Sequence, residues 1–347
     1  MPGQRLRYEQ YLPYFEEAGY EVVVSSFMTI PFQKMVYNKG KLLTKAFWTL
    51  YGYSRRFFDL FRIRNYDIVY VFLWVTPFGP PFFERITRIL SKQMIYDIDD
   101  LIYSKQKSKA NPIISSLKGR NKPVYLFRKA DHVITSTLAI EEFARKLNSN
   151  VSNIPVSIDT IRYTPKDDYE VKEPKIVLGW TGSLSTSPYM HLLDDVLKNL
   201  YKENPFTLRI LGDASFMIEG IDVDAMAWTE QIEVPTIKTF DIGLYPLPDE
   251  EWVHGKGGGK ALQYMSLGIP TVASAIGYNF KIIEQGKTGI LVKNDEEWIN
   301  ALRKLINDTL MRERIGKNGA VVVEAKYSIN ANKHRYIKIL NQLSPIN

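Results

Sequence analysis

Between Gly255 and Ser274 the chain reads GKGGGKALQYMSLGIPTVAS, and no other stretch constrains the fold as strongly. Three consecutive glycines, flanked by Lys256 and Lys260, stand directly before a short apolar run of helical spacing. Gly268 marks the end of that helix, and Pro270 leads into the β-branched strand Thr271-Val272-Ala273-Ser274. Loop, helix, turn and strand in this order belong to an α/β protein with a parallel sheet. Glycines let a ligand approach the backbone closely. The helix N-terminus behind them offers free N–H groups and a positive dipole end, which suits a phosphate or diphosphate. Lys256 and Lys260 add full charges to this cradle. A P-loop is disfavoured, because Ala261 rather than Ser or Thr follows Lys260. Taken alone, the glycines are equally explained as plain turn chemistry before a helix.

The same alternation runs through the rest of the chain. Residues 8–18 carry apolar side chains at helical spacing and end at Gly19, a C-cap residue. Strands are expected over residues 21–25, 68–72, 93–96, 132–135 and 151–154, with helical patterns between them. This βαβ logic implies a parallel sheet covered on both faces. Residues 164–175, rich in charge and proline, read as a linker, after which alternation restarts at Ile176 and continues to about Val292. The tail from Asp295 is helical, with Ser328 as N-cap of the last helix. A length of 347 residues supports two such domains. The expected division is 1–163, 164–327 and a returning helix over 328–347.

Composition excludes several classes. There is no cysteine, which removes disulfides, thiol nucleophiles and cysteine metal sites. The start, Met1-Pro2-Gly3-Gln4-Arg5, lacks the apolar core of a signal peptide, and the longest apolar run, 68–76, is too short to span a bilayer. The expected location is cytoplasmic, with a peripheral place on the inner membrane face as an addition. A net charge of +7 suits an anionic donor or an anionic membrane, although a solvated surface excess is the ordinary explanation. No nucleic-acid motif accompanies it. His132, His191, His254 and His334 are scattered without metal-ligand spacing, and only His254 adjoins the glycine loop.

Six segments in order resemble retaining GT-B glycosyltransferases of family 4. Ile154-Pro155-Val156-Ser157-Ile158-Asp159 resembles the connection between the two GT-B domains, and Gly179-Trp180-Thr181-Gly182 the first strand and glycine turn of the donor domain. Leu208 to Asp213 resembles the strand that faces the nucleotide base, and Asp241 to Leu247 the strand before the glycine loop. Gln263 to Ser274 matches the helix and strand that follow it, and Gly286 to Val292 a later turn. The resemblance implies a GT-B fold of two Rossmann-like domains, a nucleotide-diphosphate sugar (UDP- or GDP-linked) as donor, and no required metal or other cofactor. It places Gly182, Gly212, Trp228, Lys256, Gly257, Gly258, Gly259, Lys260, Ala261, Leu262 and Gln263 at the donor.

Three departures stand out. The family's two glutamates fall on Gly255, which has no side chain, and on Gln263, whose amide is able to hydrogen-bond a ribose. A cation expected after the first glycine turn is missing between Ser183 and Pro188, and its role passes to Lys260 and Lys256. No strand precedes Pro2-Gly3, which resembles the family's first loop, so the first sheet is expected to lack a strand beside residues 21–25.

On the acceptor side, Tyr96-Asp97-Ile98-Asp99-Asp100 stands at a strand end, where ligands of open α/β sheets collect. Asp97 and Asp99 are candidate catalytic residues beside Lys260, and a helix cap is the competing reading. Arg5 and Arg7 are placed to face an anionic acceptor, the diphosphate, or solvent. Residues 39–64 mix lysine and arginine with phenylalanine, tyrosine and tryptophan, as does a helix lying in a membrane interface, though aromatics at this spacing also build cores. The expected function is sugar transfer with retention to a glycan or polyprenyl-linked acceptor, in surface polysaccharide synthesis. A nucleotide-sugar epimerase of the same fold and a non-catalytic homologue stay open as alternatives.

Overall fold

The structure is a computed structural model that describes residues 2–345 apart from 31, 33–34, 36–39, 104–118 and 120. Two parallel sheets organise these residues. The first holds β1 (Ile68–Phe72), β2 (Gln93–Ile98), β3 (His132–Thr135) and β4 (Val151–Asn153), side by side in that order. The second holds β5 (Val177–Thr181), β6 (Thr207–Leu211), β7 (Val223–Met226), β8 (Ile242–Tyr245), β9 (Thr271–Ser274) and β10 (Ile290–Val292), in the order β10-β9-β8-β5-β6-β7. The winding reverses beside β5, and crevices at such switch points are where open α/β sheets bind ligands.

Helices α1 (Pro2–Arg7), α2 (Leu12–Glu17), α3 (Leu42–Arg62), α4 (Phe82–Leu90), α5 (Asn121–Lys129) and α6 (Leu138–Arg145) accompany the first sheet. The second is accompanied by α7 (Asp194–Glu203), α8 (Glu230–Lys238), α9 (Gly259–Ser266), α10 (Asn279–Ile282), α11 (Asp295–Asn307) and α12 (Thr309–Val322). The central strands read as unbroken apolar runs because both faces are covered. On β2, Met94, Tyr96 and Ile98 pack with Leu126 and Phe127 on one face, while Ile95 packs with Tyr11, Phe15 and Tyr336 on the other. Glycine serves close packing at two strand positions: a Cβ on Gly179 would meet the Phe240 ring at 2.0 Å, and one on Gly243 the Tyr264 ring at 2.5 Å.

The last helix, α13 (Ile329–Leu343), leaves the second sheet and completes the first. Its Tyr336, Ile339 and Leu340 pack against Ile95, Ile134 and Ile154. A π-helical turn at Val323–Tyr327 makes the crossing, and Ile158 ties it down by donating to the Tyr327 carbonyl (2.8 Å) and accepting from the Ile329 amide (3.1 Å). The Ser328 hydroxyl then caps α13 by accepting from the Ala331 amide at 3.0 Å.

Three sequence expectations are corrected here. Pro2 and Gly3 open helix α1 rather than forming a loop, and residues 8–18 are broken into a 3₁₀ turn at Glu9–Tyr11 followed by α2. Residues 21–25 form no strand. An apolar, β-branched run becomes a strand only when a neighbour accepts its ladder bonds. Here the free edge of the sheet is β1, and the Ser25 carbonyl accepts instead from the Arg56 guanidinium of α3 at 2.9 Å. No described helix is long and apolar enough to cross a membrane.

Candidate functional site

The glycine loop lies where the switch point puts it, between β8 and α9. Gly258 adopts a left-handed conformation (φ 71°) and caps α9 without a side chain, so the first-turn amides of Gly259, Lys260 and Ala261 stay outside the helical ladder. The opposite end closes as a Schellman motif: Gly268 (φ 71°) donates to the Met265 carbonyl, and Ile269 to that of Tyr264. The side chains of Ala261 and Leu262 are fully buried in the core beneath the loop. Only their backbone is able to serve a ligand.

The glycines also bring the loop against the first domain. A Cβ on Gly255 would meet Leu101 at 2.5 Å, and one on Gly257 would meet Val156 at 2.8 Å. The position of the family's first glutamate is therefore closed by Leu101. Gly182 and Gly212 meet backbone to backbone, a Cβ on Gly212 falling 1.8 Å from the Gly182 carbonyl oxygen, and Gly212 holds φ 126°.

Lys260 is the decisive side chain. Its ammonium stands 5.4 Å from the centre of the Trp180 ring and 5.6 Å from that of Tyr245, and no carboxylate pairs with it among the described residues. Burial, together with the charge of Lys256, pushes its pKa down to about 8. The cleft into which it points is walled by Trp180, Tyr189, Tyr245, Leu247 and Trp252. A cation held over aromatic faces with no carboxylate partner among the described residues, beside open helix amides, offers the chemistry that an anion requires.

Lys256 behaves differently. It pairs across the cleft with Asp100 at 2.6 Å and lies 5.5 Å over the Trp252 ring. His254 is exposed on the 3₁₀ turn Glu251–Gly255.

Gln263 departs from expectation. It is only 5 % exposed, and its amide donates to the Tyr163 hydroxyl at 3.0 Å and to Glu233 at 3.3 Å. Glu233 in turn accepts two bonds from Arg5 (2.5 and 2.7 Å), which hold its carboxyl below the usual range against the opposing effect of burial. The Arg5 guanidinium also lies 5.5 Å over the Trp228 ring, which is 41 % exposed at the end of β7. Arg5 is thus an interdomain clamp rather than a free cation.

At the acceptor side the three carboxylates separate. Asp97 is wholly buried, taken by Arg7 and Tyr70, and does not reach the cleft. That corrects its reading as a catalytic group, and it corrects Arg7 too, which is 1 % exposed and also donates to the Ile154 carbonyl. Asp100 holds Lys256. Asp99 has no hydrogen-bond partner among the described residues. Burial and the neighbouring acids raise its pKa to about 6. His132 is half-buried in β3, 3.0 Å from the Ser152 hydroxyl, and its pKa is lowered by burial.

Residues 175–308 match the family Glycosyl transferases group 1. That match spans the second sheet, from β5 to α11. Over 321 residues, 83% of this chain and 78% of the relative, the sequence is 25% identical to an uncharacterized glycosyltransferase of Methanocaldococcus jannaschii. Among solved structures, a glycosyltransferase from Rickettsia africae matches with a TM-score of 0.68 at 13% identity, covering 96% of this chain and 93% of that one. Anabaena HepE, solved in complex with UDP and glucose, matches at 0.64 and 18%, covering 83% and 82%. Both likenesses concern the fold, which is GT-B. Sequence reasoning missed several residues around this cleft: Trp180, Tyr189, Trp252, Glu233 and Tyr163. Trp180 sits in a buried strand and carries no local signal of a ligand. The others reveal themselves only through partners distant in sequence.

Proposed function

We propose that the protein is a retaining family 4 glycosyltransferase that moves a sugar from a nucleotide diphosphate to a glycan or polyprenyl-linked acceptor, in surface polysaccharide synthesis. The observation that carries this reading is Lys260, an ammonium with no carboxylate partner among the described residues, in an aromatic-walled cleft at the open N-terminus of α9. In this reading residues 1–163 bind the acceptor, 164–327 bind the donor, and 328–347 return to brace the first domain.

The chemistry follows from where charge develops. As the bond from the sugar to the diphosphate breaks, negative charge grows on the leaving phosphate oxygen. Preorganised donors at that point contribute most to rate. Lys260 and the amides of Gly259 and Ala261 supply them, with Gly182 and Gly212 admitting the diphosphate and ribose close to the backbone. Trp228 and Gln263 border the nucleoside, Gln263 acting through the Tyr163–Glu233 cluster it holds. The leaving diphosphate takes the acceptor proton on the same face, and Asp99 orients the acceptor hydroxyl. The retaining outcome then needs no carboxylate nucleophile of the kind used by glycosidases.

Incubation with UDP-, GDP- and ADP-sugars, with and without membrane extract, tests the reading by nucleotide release. HepE was solved with UDP, so UDP-glucose leads the panel. Release that depends on the extract supports transfer. Interconversion of the sugar without release would instead favour an epimerase. Tight binding without any turnover would favour a non-catalytic homologue, a reading that the closure of Leu101 over Gly255 supports.

A further inference from the structure

Helix α3 has two faces, and among the described residues only one of them is packed against the rest of the fold. On the inner face, a Cβ at Gly52 would meet the Phe27 ring at 2.7 Å, the Tyr53 hydroxyl donates to the Phe78 carbonyl at 2.8 Å, and Arg56 reaches Ser25 and the Val75 carbonyl. The outer face carries Leu43, Phe47, Leu50, Phe57, Phe58 and Phe61. Steps of four, three, seven, one and three residues align these along one stripe. Each is between 51 % and 88 % exposed. Isolated exposed apolar residues need no explanation, but a continuous stripe of four phenylalanines and two leucines does.

Charge narrows the choice of occupant. Arg55 and Arg62 lie in the helix beside the stripe, and Arg64 follows directly after it. The sole carboxylate of α3, Asp59, is turned to the inner face, held by Arg56 at 2.8 Å and by the Ser25 hydroxyl at 2.7 Å. The outer face is therefore apolar with a basic margin and no acid. A second copy packed here about a two-fold axis would bring the arginines of both copies together. An anionic bilayer surface pairs with them instead. At about 1.5 Å rise per residue the helix extends roughly 30 Å, enough to lie flat in the headgroup layer.

We infer that the outer face of α3 docks the protein on an anionic lipid bilayer, with the stripe sunk at the acyl boundary and the arginines at the headgroups. The inference rests on α3 alone and stands whether or not the donor reading holds. It would hold the first domain at the surface where a lipid-linked acceptor resides.

The test is flotation of the full chain with phosphatidylcholine vesicles, with and without phosphatidylglycerol. Binding is expected only to the anionic vesicles and should weaken as salt rises. Phe57→Ser/Phe58→Ser/Phe61→Ser should abolish it. Arg55→Gln/Arg62→Gln/Arg64→Gln should weaken it by roughly 100-fold, at about fivefold per arginine. All six positions lie outside the packed core, so melting temperature and UDP affinity should match the parent, which separates this test from failure of the donor reading. The absence of cysteine allows Leu50→Cys to carry a single environment-sensitive dye, expected to shift to the blue on anionic vesicles. Equal binding to neutral vesicles, no binding at all, or a doubled mass in solution that the serine variant abolishes would each overturn the inference.

Discussion

Replacing Lys260 should weaken the donor site in a way that depends on pH. The free ammonium has a pKa of about 8, lowered by burial and by Lys256, so folding disfavours its charged form. A bound diphosphate favours the charged form, and binding therefore takes up protons near pH 8. Between pH 7 and pH 9 the charged fraction falls from about nine-tenths to about one-tenth, and UDP affinity should fall about tenfold with it. Lys260→Ala should lose about 10- to 100-fold in affinity at pH 7, the range expected for charge-assisted hydrogen bonds. It should also lose the pH dependence. Lys260→Arg stays charged throughout, so its affinity should be flat over the same interval. Titration calorimetry with UDP, in two buffers of different ionisation enthalpy, reads both the affinity and the protons taken up. Unchanged affinity in Lys260→Ala, or a parent protein indifferent to pH from 7 to 9, would refute the assignment of this lysine.

Other outcomes follow from neighbouring contacts. Lys256→Ala should weaken UDP binding less than Lys260→Ala, because its charge is already shared with Asp100; Asp100→Asn should release it and leave affinity equal or tighter, by the same calorimetry. Asp99→Asn should lower transfer while raising stability by about 1 kcal/mol at pH 7. The sign follows from a folded pKa of about 6 above the ordinary carboxyl value: the parent loses stability as pH rises from 4 through 6, and the variant should not, as paired thermal melts would reveal. Gln263→Ala should cost about 1–3 kcal/mol through the unpaired Tyr163 and Glu233, while UDP affinity per folded molecule falls less than tenfold. Arg7→Ala, leaving the Asp97 carboxylate alone in the interior, should cost about 3–5 kcal/mol by urea unfolding.

Local chemistry was legible wherever it was self-sufficient. β1 and β3 lie at their expected residues because each carries a β-branched apolar core that packs into the first sheet, β1 at its edge and β3 inside it. The end of α9 was legible because only glycine readily takes the left-handed turn that closes it. Residues 21–25 carry an equally clear run of valines and still form no strand, since a ladder needs a neighbour that the run itself does not reveal. The aspartates at the end of β2 show the same limit. Asp97, Asp99 and Asp100 look alike in sequence, yet Arg7 takes the first into the core, Lys256 takes the third across the cleft, and Asp99 has no partner among the described residues. Gln263 looked free for a ribose because Glu233 and Arg5, which engage its cluster, stand 30 and 258 residues away in the chain.

The crossing of α13 sets a timetable for synthesis. Ile95, Ile134 and Ile154 wait for Tyr336, Ile339 and Leu340 to cover them, and these are made only after the whole second sheet. At about 5–20 residues per second, the roughly 175 residues between Ile154 and Ile329 take on the order of 10–35 s to emerge. For that interval the first domain is an open half-core on the ribosome, and the second domain matures before it. Chaperone capture during translation should accordingly centre on residues 93–154, and it should end when the last helix arrives.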